Sequence, residues 1–318
     1  MYLLSKVSLV PFRDEFYAVI TVIFIYSNNI NIKMLYTLTK LCILKQGEIM
    51  KNIRRIFLAV LVSYIIIAFL WTGKVYIIHQ QHLDGLPVLG YHSVVSDEEK
   101  KQHHSLNPYV MSVSKFEEQM QYLYDNNYHT LTMEETYAYY MGYTELLTPS
   151  IVITFDDGFK NFNTVVKPIL ERFDFHATNF VIGHKLSKVD KPNTLLPYLK
   201  QEDIINDSYV SYYSHTYDLH RFSTLPYHKL IETATLDEIR QDFEKSIDVI
   251  DTTFFAYPYG ISSDNMHIAL QENNTKLAFS YNQMRHMSHK DDQYMLPRYQ
   301  MFSAMPMWYF TWITEQTL

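Results

Sequence analysis

Sixteen consecutive residues without a charge, Ile56 to Trp71 (IFLAVLVSYIIIAFLW), divide this 318-residue chain into parts that cannot share one solvent. Lys51, Arg54 and Arg55 precede the run, and Thr72-Gly73-Lys74 follows it. Its length lies between a signal-peptide core and a full span of roughly 20 residues, and extension through Val75 to Ile78 carries it further despite Lys74. The basic flank puts the N-terminal side in the cytoplasm and everything after the run outside. No small-x-small cleavage site follows Phe69, which favours an uncleaved anchor over a removed signal. A buried core helix is the other reading of the same residues.

The 49 residues before Met50 fit a secreted chain poorly, because a signal normally begins close to its basic flank. Lys45-Gln46-Gly47-Glu48-Ile49-Met50 can be encoded by a purine-rich stretch containing AAGGAG shortly before an ATG, the pattern of a bacterial ribosome-binding site. The expectation is therefore a start at Met50. Residues 1–49 are then an untranslated or apolar leader, 50–78 a signal anchor or signal peptide, 79–85 a linker and 86–318 one folded domain. Phe16 to Tyr26 is a second apolar stretch, too short to span.

Apolar residues make up 47% of the chain and charged residues 19%, enough to bury a large core and unlike a disordered protein. The formal charge of -7, with Lys and Arg scattered, excludes a nucleic-acid groove. Aromatic residues reach 15%, including 27 Tyr. Some of these rings suit stacking on sugar faces, and most pack at the core edge. Cys42 is the one cysteine, so no internal disulfide forms, and a start at Met50 would remove even that thiol.

After Leu86 the hydrophobic pattern alternates between strand and helix. Pro87 to Tyr91, Ile151 to Phe155, Ala177 to Ile182, Val210 to Ser214 and Phe254 to Tyr257 read as buried strands. Helices are expected from the Ser114/Glu117 capping spacing to about Asn126, from the Thr132/Glu135 spacing, over Asn163 to Phe173 and over Leu236 to Asp251. Strands separated by helices imply a parallel sheet, and six or more such units in 233 residues imply a closed or distorted (β/α) barrel, with an open doubly wound sheet as competitor. Functional groups then belong at the C-terminal ends of the strands.

Four groups stand there. Thr154-Phe155-Asp156-Asp157-Gly158 sets two carboxylates at a strand mouth, pointing different ways, so one can bind a cation while the other faces a water. Taken alone it is equally a solvated turn. Ser214-His215-Thr216-Tyr217-Asp218-Leu219-His220 places two imidazoles five residues apart on a loop, and with a carboxylate they form an open divalent-metal site. Such ligands suit Zn²⁺ by default and admit Fe, Co or Ni. Tyr257-Pro258-Tyr259-Gly260 is a turn that exposes amide N–H groups able to face an oxyanion. His92, in Tyr91-His92-Ser93, ends the first strand.

Together these motifs resemble the NodB-like polysaccharide deacetylases, carbohydrate esterase family four, over Leu86 to about Tyr299. The five-residue histidine step and the early Tyr-His segment resemble the intercellular-adhesin branch, which acts on poly-β-1,6-N-acetylglucosamine. The resemblance implies a distorted (β/α) barrel behind one transmembrane segment, with Asp156 as general base, Asp157, His215 and His220 as metal ligands, and His92 as general acid. The arginine that other members place before the Pro-aromatic-Gly turn is missing, with Ala256 near its place, and Arg298 in Leu296-Pro297-Arg298-Tyr299 is the candidate substitute. Tyr259, with Tyr257 and Pro258, would face substrate or oxyanion. The implied partners are an N-acetylglucosamine polymer, the membrane through the anchor and polysaccharide synthase machinery, on the outer face of a bacterial membrane or in the secreted state. Peptidoglycan or another exopolysaccharide is the alternative substrate, and a catalytically silent sugar-binding protein the alternative class.

Overall fold

Among the described residues the rise and fall of apolar runs becomes ten short strands, all paired in parallel. A computed structural model describes residues 32–146, 148–186, 194–224, 226–282 and 285–317. The strands are β1 (Val88–Tyr91), β2 (Ser93–Val95), β3 (Val110–Ser112), β4 (His129–Thr130), β5 (Ser150–Asp157), β6 (Ala177–Val181), β7 (Val210–Ser214), β8 (Phe254–Ala256), β9 (Leu277–Phe279) and β10 (Tyr299–Gln300). The main sheet runs β10-β1-β5-β6-β7-β8-β9, with β4 beside β5 and with β2 and β3 paired separately.

One segment decides between barrel and open sheet. Leu296 exchanges backbone bonds with Ala278 and Ser280 beyond the β9 edge, and the Asn282 amide donates to the Arg298 carbonyl. Immediately after Arg298, Tyr299 and Gln300 pair with Leu89 and Gly90 of β1. The chain from Leu296 to Gln300 therefore touches both edges of the sheet, which makes a distorted (β/α) barrel.

Side chains alternate across each strand and so sort into layers. Along β5, Ile151, Ile153 and Phe155 join an outer core against the helices Val113–Asp125 and Lys167–Phe173, while Val152 joins an inner core with Val88, Phe180, Tyr213, Phe254, Phe279 and Leu296. Burial of each inner phenylalanine stabilises the barrel by ~2 kcal/mol. The same period carries Asp156, buried, to the inner face. A third cluster, including Phe255 and Tyr257, packs β8 on the helices Leu236–Ile247 and Asp264–Glu272.

Two helix starts repay attention to local chemistry. The Thr132/Glu135 box forms as read, with both reciprocal bonds present. The Ser114/Glu117 box does not: Ser112 caps that helix by accepting from the Lys115 amide, and Ser114 Oγ donates to Asp97 at 2.8 Å. Pairing with β2 holds the backbone extended up to Ser112, so the helix turns there. The element expected from Asn163 opens as a wide π turn, Phe162–Val166, before the α-helix Lys167–Phe173. Pro168 has no amide to bond the carbonyl four residues back, and the wider turn accommodates the loss.

The chain divides into two compact units, 1–72 and 73–318. In the first, the helix Ile32–Gln80 begins, and its stretch Met50–Gln80 is long and apolar enough to cross a membrane, with a mean hydropathy of 2.4 in its most apolar window. Side chains of this stretch such as Phe57, Ile66 and Leu70 are exposed. In the second unit, His79 and Leu83 are buried. The apolar stretch Phe16 to Tyr26 lies outside the described residues.

Candidate metal centre and active site

The Asp156 carboxylate is buried inside the barrel. Arg298 grips it with both arms of its guanidinium, Nη1 to Oδ1 at 2.7 Å and Nη2 to Oδ2 at 2.8 Å. Arg298 is itself fully buried, with Nη1 also donating to Thr154 Oγ1 at 3.0 Å. Such a bidentate pair is strong and planar, and it fixes both partners. Burial pushes the Asp156 carboxyl up, but the charge of Arg298 and its hydrogen bonds reverse this and hold it well below the usual carboxylate range. Asp156 is thus ionised and oriented.

Asp157 leaves the strand in a left-handed conformation, φ 76°, followed by Gly158 at φ 79°. A non-glycine residue there stores strain, of order 1–3 kcal/mol, of the kind found at functional sites. Gly158 is required: a Cβ on it would lie 2.6 Å from Val181 Cγ1 on the neighbouring strand. The turn takes Asp157 off the axis of β5, towards the histidine loop.

That loop is shaped by an anchor invisible to motif reading. Asp242, buried on the helix Leu236–Ile247, accepts from the Tyr217 and Asp218 amides, each at 2.7 Å. Burial, with the charge of Asp218 adding to it, pushes the Asp242 carboxyl up to about 6 against the effect of those amides. Around this clamp the chain folds back so that His215 and His220 both face Asp157, with Nε2 at 3.8 and 3.4 Å from its Oδ1.

The tautomer of His215 follows from its other nitrogen. Nδ1 lies 2.7 Å from the Ala256 carbonyl, which can only accept, so Nδ1 carries the proton and Nε2 presents a lone pair to the cluster. Burial is the main reason its pKa falls to about 4, which keeps the ring neutral. The three ligand atoms lie within 4.8 Å of one another, and Asp157 Oδ1 is buried without a hydrogen-bond partner among the described residues. Atoms bound at ~2.1 Å to one tetrahedral ion sit ~3.4 Å apart. The orphaned oxygen and the free imidazole face fit a divalent cation.

His92 stands nearby, close enough for its charge to act on Asp156, with its ring 5.0 Å from that of Tyr109 and its Nδ1 buried without a described partner. Tyr259 adopts φ 58° in the turn after β8 and lays its ring 4.3 Å from His220. Its two predecessors behave differently. The Tyr257 ring packs in the third cluster, with its hydroxyl donating to the Tyr294 carbonyl at 2.8 Å, and Pro258 is buried. Tyr257 therefore offers substrate no side chain, because β8 continues its alternation one residue past the ladder.

Tyr281 was absent from the sequence reading. Its hydroxyl donates to Asp156 Oδ2 at 2.7 Å, and the Arg298 guanidinium lies 4.4 Å over its ring. The only signal was its position just after a strand of three residues, too short to read from periodicity.

With this geometry in view, known proteins can be set beside it. Residues 145–278 match the family described as polysaccharide deacetylase. Over these residues the chain matches a polysaccharide deacetylase domain. That family hydrolyses N-acetyl amide bonds and is metal-dependent in general. The chain is 26% identical over 197 residues to the poly-beta-1,6-N-acetyl-D-glucosamine N-deacetylase of Staphylococcus aureus, a match over 60% of this chain and 67% of the relative. Among solved structures, the Streptococcus pyogenes deacetylase PplD in complex with acetate has a TM-score of 0.60 at 24% identity, covering 73% of this chain and 98% of that one. IcaB from Ammonifex degensii has the same TM-score at 21% identity, covering 73% and 97%. These two likenesses establish the fold. The family match spans both aspartates, both histidines and the turn at Tyr259, while His92, Tyr281 and Arg298 lie outside it.

Proposed function

We propose that this deacetylase removes N-acetyl groups from poly-β-1,6-N-acetyl-D-glucosamine at the outer face of a bacterial membrane, leaving acetate and a partly cationic polymer. The observation that carries the reading is the pairing of an oriented, ionised Asp156 with the ligand cluster Asp157, His215 and His220, which begins one residue away. The named relative supports the polymer. Aromatic pairs on loops around the triad support a sugar substrate: Phe159 stacks on Tyr198 at 4.9 Å, and Phe222 stacks on Tyr227 at 4.6 Å beside Tyr259.

Asp157, His215 and His220 would hold one divalent cation, with Zn²⁺ the default for this donor set. When bound, the cation supplies Lewis acidity to the N-acetyl carbonyl and to water. Asp156 takes the proton of the attacking water, whose oxygen adds to the carbonyl carbon. Arg298 keeps the base ionised and aimed. The Tyr259 amide is the donor assigned to the developing oxyanion. As the C–N bond breaks, the His92 imidazolium gives its proton to the departing amine, and acetate and a glucosamine unit are released. The stretch 50–78 would tether residues 86–318 outside the cell as a signal anchor.

Acetate release from purified β-1,6-linked N-acetylglucosamine oligomers, measured beside release from muropeptides, tests the substrate. Turnover confined to the oligomers is the expected result, and turnover confined to muropeptides would move the enzyme to the cell wall. No turnover on any polymer, with the cation bound, would leave a sugar-binding protein.

A further inference from the structure

The way the Asp156 carboxylate is bound restricts which of its oxygens can act. Each carboxylate oxygen offers two in-plane acceptor positions. Oδ2 accepts from Arg298 Nη2 at 2.8 Å and from the Tyr281 hydroxyl at 2.7 Å, so both of its positions are taken. Among the described residues Oδ1 accepts from Arg298 Nη1 alone, at 2.7 Å, and one position stays open. Resting on the reading of Asp156 as the base, we infer that Tyr281 is a positioning residue that saturates Oδ2 and leaves Oδ1 as the single oxygen able to take the proton from water.

The fold invests in that phenol. Gly90 on β1 makes room for it: a Cβ there would lie 2.7 Å from the Tyr281 hydroxyl oxygen and 2.7 Å from Cε1. Gly260 closes in from the turn after β8, where a Cβ would meet Tyr281 Cδ2 at 3.1 Å. Arg298 covers the ring from another side at 4.4 Å. Two glycines on separate elements and one buried guanidinium thus shape a slot for one ring, whose hydroxyl reaches the carboxylate. Burial, with the charge of Asp156, pushes the Tyr281 hydroxyl well above its usual range against the effect of Arg298, so it remains a donor. A tyrosine needed only for packing would not require its oxygen to end on the one group that the arginine already neutralises.

The sharpest test is Tyr281→Phe in the full chain loaded with zinc, assayed on β-1,6-linked N-acetylglucosamine oligomers. Loss of a hydrogen bond to a charged group predicts a kcat lower by about 10-fold to about 100-fold. KM and bound zinc should stay at parental values, since the ring still fills its slot and no ligand is touched. Parental kcat, or a loss of kcat accompanied by lost zinc, would overturn the inference. Should Tyr281→Phe fail to accumulate as folded protein, Gly90→Ala carries the same test, because it keeps the hydroxyl and crowds the ring off the carboxylate. Asp156→Asn separates this failure from failure of the function: if that variant turns over normally the base assignment is wrong, whereas if it is dead and Tyr281→Phe is fully active only the positioning role falls.

Discussion

Two regions of the barrel hold buried histidines that are treated oppositely, the mouth with His215 and a seam with His79 and His286. At the mouth, His215 has one nitrogen tied to the Ala256 carbonyl and the other left open towards Asp157 and His220. Near the starts of β1 and β10, His79 has both nitrogens occupied, by the Tyr299 hydroxyl at 3.1 Å and the Trp312 carbonyl at 2.8 Å. His286 packs edge-on against His79 and reaches the Ile313 carbonyl at 2.9 Å. Burial keeps His215, His79 and His286 neutral. The mouth points a lone pair at a carboxylate, which is what a cation needs, whereas His79 gives both nitrogens and His286 its Nε2 to backbone and phenol, which is what a packed seam needs. Burial of a histidine therefore says little about its task; what its ring nitrogens face says more.

The comparison breaks if the two regions respond alike to mutation. The largest effect expected is from His215→Ala combined with His220→Ala: bound zinc is lost and acetate release falls by about 1000-fold or more, as when an enzyme loses the element that polarises its substrate. His79→Ala and His286→Ala should leave zinc content unchanged. Metal analysis after dialysis, alongside acetate release, reads both. If the double variant released acetate at the parental rate, the mouth would not be the site.

Next comes the base. Asp156→Asn retains zinc and loses about 100-fold to about 10,000-fold in kcat, the range of general base catalysis. A smaller deficit in turnover with full zinc would mean that another group takes the proton. Arg298→Ala then sharpens the same region in a different currency: removing one member of a buried ion pair destabilises by about 3–5 kcal/mol, because Asp156 is left charged without its partner. Its thermal midpoint should drop clearly further than that of Asp156→Asn.

The smallest effect concerns pH at the seam. Burial is the chief cause that lowers the His286 pKa, to about 3, and it lowers that of His79 as well. A folded-state value below the unfolded ~6.5 means that the unfolded chain takes the proton first as pH falls. Stability is then complete above pH ~6.5 and drains towards pH 3, by up to ~1.4 kcal/mol per pH unit for each such ring. His286→Gln should flatten the fall in thermal midpoint between pH 7 and pH 5. An unchanged slope would show that other groups carry the acid sensitivity.

Much of this layout was legible before any coordinates. The runs at 151–155, 177–182 and 210–214 became strands within one or two residues, because buried parallel strands write themselves as unbroken apolar stretches. The Asp-Asp-Gly mouth and the two histidines followed from that placement. What was not legible has a common cause. The strands at 277–279 and 299–300 are too short for a period to show, and the Ser112 cap depends on a pairing with another segment. Tyr281 and Asp242 carry no motif at all, since their importance comes from what folds against them.

By itself the sequence determined the parallel α/β order, the apolar stretch before the domain and the residue types of the site, because burial pattern and donor chemistry are local properties. It named Arg298 as a candidate partner for the base without any means of testing the pairing, 142 positions away along the chain. Only the tertiary structure decided that this arginine meets Asp156, that Tyr281 fills the remaining acceptor on Oδ2, that Tyr257 turns into the core while Tyr259 stays beside His220, and that His215 offers Nε2 outward. Each of those outcomes depends on a distance between segments remote in sequence, and closure of the barrel by a single short segment is what sets them.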